Sequence, residues 1–202
     1  MNVKDMLRQA SDAAKQLITL SDQTIIGILK ETAQVLRTHT EEVLAANRQD
    51  LERMDPANPK YDRLKLTEER LQGIAADMEN VSTLPSPLNK VLSETTRPNG
   101  MVIRKVTVPF GVIGMIYEAR PNVTFDVFSL CFRSGNVCVL KGGSDADFSN
   151  RTLVRIIHSV LERQGINPAV CTLLPPDREA TAELLGAVGL VDLIIPRGSS
   201  SL

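Results

Sequence analysis

Four short apolar runs in the second half of the chain decide what it can fold into: "VIGMIY", "VCVL", "AVCTLL" and "VDLIIP". They are continuous rather than alternating, so each reads as a strand buried on both faces. Helical stretches separate them, namely "NVTFDVFSLCFRSG", "SDADFSNRTLVRIIHSVLERQG" and "DREATAELLGAVG". In the second, Leu153, Ile156, Ile157, Val160 and Leu161 face inward. Such an alternation predicts a parallel sheet with helices on both faces, an α/β architecture. The chain has 202 residues, 43% of them apolar, enough for a sizeable core. Aromatics are only 3% and Trp is absent, so an aliphatic core is expected.

Residues 1–90 carry helical period instead. Val3, Met6, Leu7, Ala10, Ala14, Leu17 and Ile18 recur at three and four. Further helices open on Ser21 and Asp22, on Thr40 with Glu41 and Glu42 in its first turn, and on Thr67. "STLPSPLNK" (82–90) is a linker by composition. "GMVIRKVTVPFG" then alternates apolar and polar residues, which predicts a half-exposed strand. The expectation is N-terminal helices over 1–90 and a Rossmann-like sheet over 91–202. That sheet looks incomplete at its C-terminus, because "RGSSSL" follows the last strand with no closing helix.

Lys+Arg 23 against Asp+Glu 24 gives a net charge of -1, which argues against nucleic acid as a partner. Cys131, Cys138 and Cys171 are odd in number and form no CxxC pair, so no disulfide framework or zinc site is signalled. A reducing cytoplasm fits best. The N-terminus lacks a signal-peptide pattern, and no apolar run reaches membrane-spanning length.

In an open parallel sheet, ligands collect outside the carboxyl ends of the strands. Four such ends are candidates. "IYEARPN" brings Glu118, Arg120 and Asn122 together; Arg120 suits a phosphate or carboxylate, and Asn122 is either an oxyanion donor or a helix cap. "LKGGSDA" places Lys141 at a strand tip. Gly142 and Gly143 would admit a ligand to the backbone, and Ser144 and Asp145 start a helix with outward N–H groups. That is either an anion site or a plain strand-to-helix turn; it is neither a Walker loop nor a GxGxxG fingerprint. "LLPPDREA" is mostly structural, and "IIPRGSSSL" offers Arg197, Gly198 and Ser199 to phosphate or ribose. His39 and His158 lie in helical patterns as surface or packed residues. The three cysteines sit in apolar segments, where thiols are inert.

Read together, "PNGMVIRKVTVPFGVIGMIYEARPNVTFDVFSLCFRSGNVCVLKGGSDADFSN" strongly resembles the gamma-glutamyl phosphate reductases, with "YDRLKLTEERL" and "VDLIIPRGS" in support. The resemblance runs from the N-terminal helices to Ser199. It implies a branch of the aldehyde dehydrogenase superfamily, with a Rossmann-like sheet of that type. It also implies NADPH-dependent reduction of L-glutamyl 5-phosphate to glutamate 5-semialdehyde with release of phosphate, the second step of proline synthesis from glutamate. In that superfamily a cysteine attacks the acyl carbon and hydride from NADPH reduces the thioester.

Carried over residue by residue, Lys141 matches a lysine that holds the adenine ribose, and Ser144 lies where the 2′-phosphate of NADP(H) would approach. Gly142 and Gly143 belong to the same loop. Glu118, Ala119 and Arg120 match the loop beside the cofactor, and Ser199 belongs to the last one. Ala119 stands where many aldehyde dehydrogenases carry an oxyanion-donating asparagine, so Asn122 is the substrate-binding candidate. Lys141 stands where the family often has arginine, and "PRGSSSL" replaces a "PRGGKGL"-like loop.

The family's nucleophile lies in a separate catalytic domain beyond "IIPRG", so no catalytic residue is assigned here, and this chain alone is expected to be inactive. No metal is implied. A homo-oligomer is implied, built partly from a β-hairpin to which "MVIRKVTVPFG" belongs, and so is contact with the glutamate 5-kinase that makes the substrate. The alternatives are a non-catalytic nucleotide- or partner-binding module and an aldehyde dehydrogenase of other substrate; "EARPN" in place of a "WNFP"-like loop argues against the latter.

Overall fold

The computed structural model describes residues 1–198. Helix α1 (Val3–Leu17) is capped by Asn2, whose side chain accepts from the Asp5 N–H at 2.8 Å. Ser21 caps α2 (Asp22–Thr38) in the same way. Helix α3 (Thr40–Glu52) follows without a side-chain cap, then the single turn α4 (Tyr61–Leu64), then α5 (Glu68–Thr83) capped by Thr67. Strands β1 (Val91–Thr96) and β2 (Val102–Val106) pair as an antiparallel hairpin. The α/β series runs β3 (Val112–Tyr117), α6 (Asn122–Arg133), β4 (Val137–Lys141), α7 (Asp147–Arg163), β5 (Cys171–Leu173), α8 (Arg178–Leu185) and β6 (Leu193–Arg197).

The four series strands form one parallel sheet in the order β5-β4-β3-β6. Successive strands move to one side of β3 and the fourth lands on the other, so β3 marks the point where strand order reverses. Helices α1 and α8 pack together on one face of this sheet; α6 and α7 cover the other, backed by α2, α3 and α5. The α/β expectation holds, with the four apolar runs as its strands, but β6 is half-buried to exposed rather than buried on both faces.

Several details differ from the sequence expectation. The hairpin has a first strand, β1, where no element was expected, and both strands are exposed along their whole length rather than half-exposed. Its alternation therefore reflects no core below it. Helix α7 starts at Asp147; Ser144–Ala146 form a 3-10 turn before it. Asn122 is the first residue of α6 rather than its cap, and its amide donates to Asp126 Oδ2 at 3.1 Å. The core is not wholly aliphatic either. Phe125, Phe128 and Phe132 line one side of α6 and are fully buried, with Phe128 and Phe132 stacked at 5.3 Å. Burying each contributes roughly 1.5–3 kcal/mol.

Two polar pins lock the layers. Arg133, 4% exposed, donates to the Leu84 carbonyl at 3.0 Å and pairs with Asp22, tying α6 to α2 and the end of α5. At the start of β3, Asp192 Oδ2 accepts from the Val112 N–H at 2.8 Å. Gly111 makes this approach possible, since a Cβ there would lie 2.2 Å from the same oxygen and its φ is +119°.

Candidate functional site

The parallel sheet sets the geometry of its carboxyl edge. Tyr117 and Lys141 end neighbouring strands, and Arg197 ends β6 beside Tyr117. The loops after β3 and β4 are in contact: a Cβ on Gly143 would lie 3.7 Å from Glu118 Cα and 3.8 Å from the Ala119 N. Lys60 bridges them from the helical layer, with Nζ 3.2 Å from Glu118 and 4.0 Å from Asp145. Glu118, Ala119, Gly142, Gly143 and Ser144 thus gather on one side of the edge. Ser144 is exposed there and Ala119 is buried.

Below them lies a buried polar network. Tyr117 Oη and Thr124 Oγ1 are 2.8 Å apart, and the Thr124 hydroxyl donates to Asn150 Oδ1 at 3.0 Å. Burial pushes the Tyr117 hydroxyl well above its usual range, so it stays neutral. The other end of Asn150 explains Gly142. A Cβ on Gly142 would sit 2.3 Å from Asn150 Nδ2. This glycine makes room for the chain's own asparagine, a role that sequence spacing cannot distinguish from ligand access.

Lys141 is not a free strand tip. Only 6% of it is exposed, and its Nζ donates to the Gly142 carbonyl at 3.0 Å. Burial lowers its pKa, and the Asp177 carboxylate opposes that shift. The ammonium keeps donors beyond the one spent on Gly142. Asp177 also caps α8, accepting from the Ala180 N–H at 2.7 Å, so "LLPPDREA" is structural, as its composition suggests.

Two N–H groups at the start of α7 are already satisfied by a side chain. Asp50 of α3 accepts from the Phe148 N–H at 3.1 Å, the Ser149 N–H at 2.8 Å and the Ser149 hydroxyl at 2.6 Å. Helix α3 supplies the anion for the start of α7, from a residue 99 positions away. Burial nonetheless raises the Asp50 carboxyl above its ordinary value. Asn47, one turn earlier, donates to Ser149 Oγ at 3.0 Å and to the Leu64 carbonyl at 2.9 Å, and accepts from the Leu66 N–H at 2.7 Å. One buried pair of side chains therefore fixes both the start of α7, directly after the "LKGGSDA" loop, and the "RLKL" turn. Neither residue was legible as part of the site.

Arg120 and Asn122 turn the other way. They line a cavity of about 330 Å³ with residues of the α4–α5 region, including Arg63, Lys65, Arg70 and Asp77. Sequence reasoning missed those four. The signal was present in "RLKL": Leu64 and Leu66 are buried, so the alternating Arg63 and Lys65 must face outward. Ser199 lies outside the described residues.

The three cysteines are buried. A hydrogen bond with Cys138, and then burial, push the Cys131 thiol far up. Cys138 is also raised, and it pairs with Cys171 across β4 and β5. Such thiols are not activated nucleophiles. Among the described residues no group of three or more His, Cys, Asp or Glu is placed to hold a metal, and no helix is long and apolar enough to cross a membrane.

No family model matches the chain. A curated relative from Parabacteroides distasonis, a gamma-glutamyl phosphate reductase, is 98% identical over 202 residues, covering 100% of this chain and 49% of the relative. The crystal structure of gamma-glutamyl phosphate reductase from Thermotoga maritima superposes with a TM-score of 0.95 at 31% identity, over 100% of this chain and 50% of that one. A probable aldehyde dehydrogenase from Listeria monocytogenes shares the fold, with a TM-score of 0.76 at 17% identity over 98% of this chain and 42% of its own. The chain spans about half the length of the curated relatives it matches. The chain belongs to the gamma-glutamyl phosphate reductase family.

Proposed function

We propose that this chain is the cofactor-binding half of an enzyme that reduces L-glutamyl 5-phosphate to L-glutamate 5-semialdehyde with NADPH, releasing phosphate, in proline biosynthesis. The observation that carries the reading is the 98% identity to a gamma-glutamyl phosphate reductase over all 202 residues. The geometry supports it. Two loops meet at the carboxyl edge of a parallel sheet, where such folds bind ligands. The Glu118–Ala119 and Lys141–Ser144 loops would hold NADP(H), with Lys141 serving the ribose and the exposed Ser144 the 2′-phosphate. Asn122 faces the substrate. The thiol nucleophile comes from the other half of the family's length, since Cys131, Cys138 and Cys171 are buried in the core. The cofactor supplies hydride; this chain binds it, orients it and keeps water from its reactive face. The enzyme is cytoplasmic, assembles as a homo-oligomer through the exposed hairpin, and receives its labile substrate from glutamate 5-kinase.

The test is reconstitution. Fused in frame to the remaining half of the Parabacteroides relative, the chain should support phosphate-dependent oxidation of glutamate 5-semialdehyde with NADP+. Turnover by this chain alone would refute the assignment of the nucleophile elsewhere, and an inactive, folded fusion would refute the reductase reading.

A further inference from the structure

The rim where the loops after β3 and β4 meet carries two carboxylates bridged by an exposed cation. Glu118 follows β3 and Asp145 lies in the 3-10 turn Ser144–Ala146; their side chains are 37% and 41% exposed. Lys60 reaches both, with Nζ 3.2 Å from Glu118 Oε2 and 4.0 Å from Asp145 Oδ2, and its side chain is 43% exposed. Other cations of this corner are engaged elsewhere. Lys141 is buried, and its Nζ donates to the Gly142 carbonyl at 3.0 Å. Arg53, at the end of α3, lies over the Phe148 ring at 5.5 Å. The backbone of Lys60 is fixed by its own turn. Asn58 Oδ1 accepts from the Lys60 N–H at 2.9 Å, and the Asn58 carbonyl accepts from the Tyr61 N–H at 2.8 Å. The buried Leu64 then anchors α4, which Lys60 immediately precedes.

Resting on the cofactor-binding reading above, we propose that Lys60 is a specificity-determining residue: its ammonium selects NADPH over NADH by taking the 2′-phosphate beside Ser144. A carboxylate at a ribose edge accepts from a free 2′-hydroxyl and repels a 2′-phosphate, so acidic residues there favour NADH and a nearby cation favours NADPH. Glu118 and Asp145 push this rim the first way. Ser144 can donate a hydrogen bond but brings no charge. Lys60 offsets both carboxylates and supplies the positive charge that a phosphate needs. An ammonium has three donors on a flexible four-carbon stem, so Lys60 can keep Glu118 and still reach a phosphate a few ångströms away. The charge that reads the nucleotide thus comes from the turn before α4, outside the parallel sheet. A half-exposed ion pair adds little to stability, which separates this role from a structural one.

The test uses this chain fused in frame to the remaining half of the Parabacteroides relative, assayed with glutamate 5-semialdehyde and phosphate against NADP+ and NAD+ in turn. Lys60→Met should raise the KM for NADP+ at least about tenfold, the scale of one charge-assisted hydrogen bond, and leave that for NAD+ nearly unchanged. Lys60→Arg, which retains the charge, should keep most of the preference. Asp145→Asn should lower the KM for NADP+, a gain that a folding defect does not produce. The thermal midpoint of Lys60→Met should stay within about 2 °C of the parent fusion. An unchanged KM for NADP+, an equal rise for both nucleotides, or a parent with no preference for NADP+ would overturn the role of Lys60 while leaving the reductase reading intact. A folded parent with no phosphate-dependent turnover on either nucleotide would overturn both.

Discussion

Asn47→Ala probes the joint between the "RLKL" turn and the start of α7. The amide makes three buried hydrogen bonds, to the Leu64 carbonyl, the Leu66 N–H and Ser149 Oγ. Truncation leaves the Leu66 N–H without its acceptor and deprives Leu64 of a donor, while Ser149 keeps Asp50. A buried polar group left unsatisfied costs about 1–3 kcal/mol. Two of them cost roughly 2–6 kcal/mol together. At about 2–4 °C per kcal/mol for a chain of this size, the midpoint of thermal unfolding should fall by roughly 4–24 °C. Urea unfolding with an unchanged m-value would assign the loss to the folded state. The exposed Asn80→Ala serves as control. A loss below about 0.5 kcal/mol, the usual scale of surface substitutions, would refute the claim that Asn47 bridges these segments.

Other outcomes follow from the same structure. Lys141→Ala should weaken NADPH binding about tenfold, or ~1.4 kcal/mol, with a smaller effect on thermal stability; equal losses by calorimetry and unfolding would make Lys141 structural. Gly142→Ala drives a Cβ to 2.3 Å from Asn150 Nδ2 and should cost about 1–3 kcal/mol by overpacking, read by urea unfolding. Burial holds the Asp126 carboxyl above its ordinary value. The folded state therefore binds this proton more readily than the unfolded chain, and Asp126 subtracts stability as pH rises from about 4 through its raised value. Asp126→Asn should flatten that part of the stability–pH profile, and an unaltered slope would contradict the reading. The hairpin exposes Val91, Leu92, Met101, Val102 and Ile103, so the isolated chain should self-associate; a clean monomer by sedimentation would refute this.

Strands β3 and β4 were legible because burial on both faces demands continuous apolar residues, and "VIGMIY" and "VCVL" satisfy that demand at nearly the observed bounds. Helix starts were legible where a side chain caps its own helix, as Ser21 and Thr67 do. The hairpin was half hidden because neither face meets a core, so "VLSETT" carries no burial pattern. The start of α7 was misplaced because its cap comes from Asp50, far away in sequence, rather than from Ser144. Lys141 was recognisable as the charged residue of its loop, but its inward turn toward Gly142 depends on packing that local sequence does not record. The cavity lined by Arg120 draws on α4, α5 and the β3–α6 loop, so its cations converge only in three dimensions.

The most direct test of the central claim is titration of this chain with NADPH, followed by nicotinamide fluorescence, beside NADH and the Lys141→Ala variant. Saturable binding that favours NADPH and weakens in the variant is the predicted result. No binding at millimolar cofactor would contradict the assignment of the Glu118–Ala119 and Lys141–Ser144 loops as a formed cofactor site.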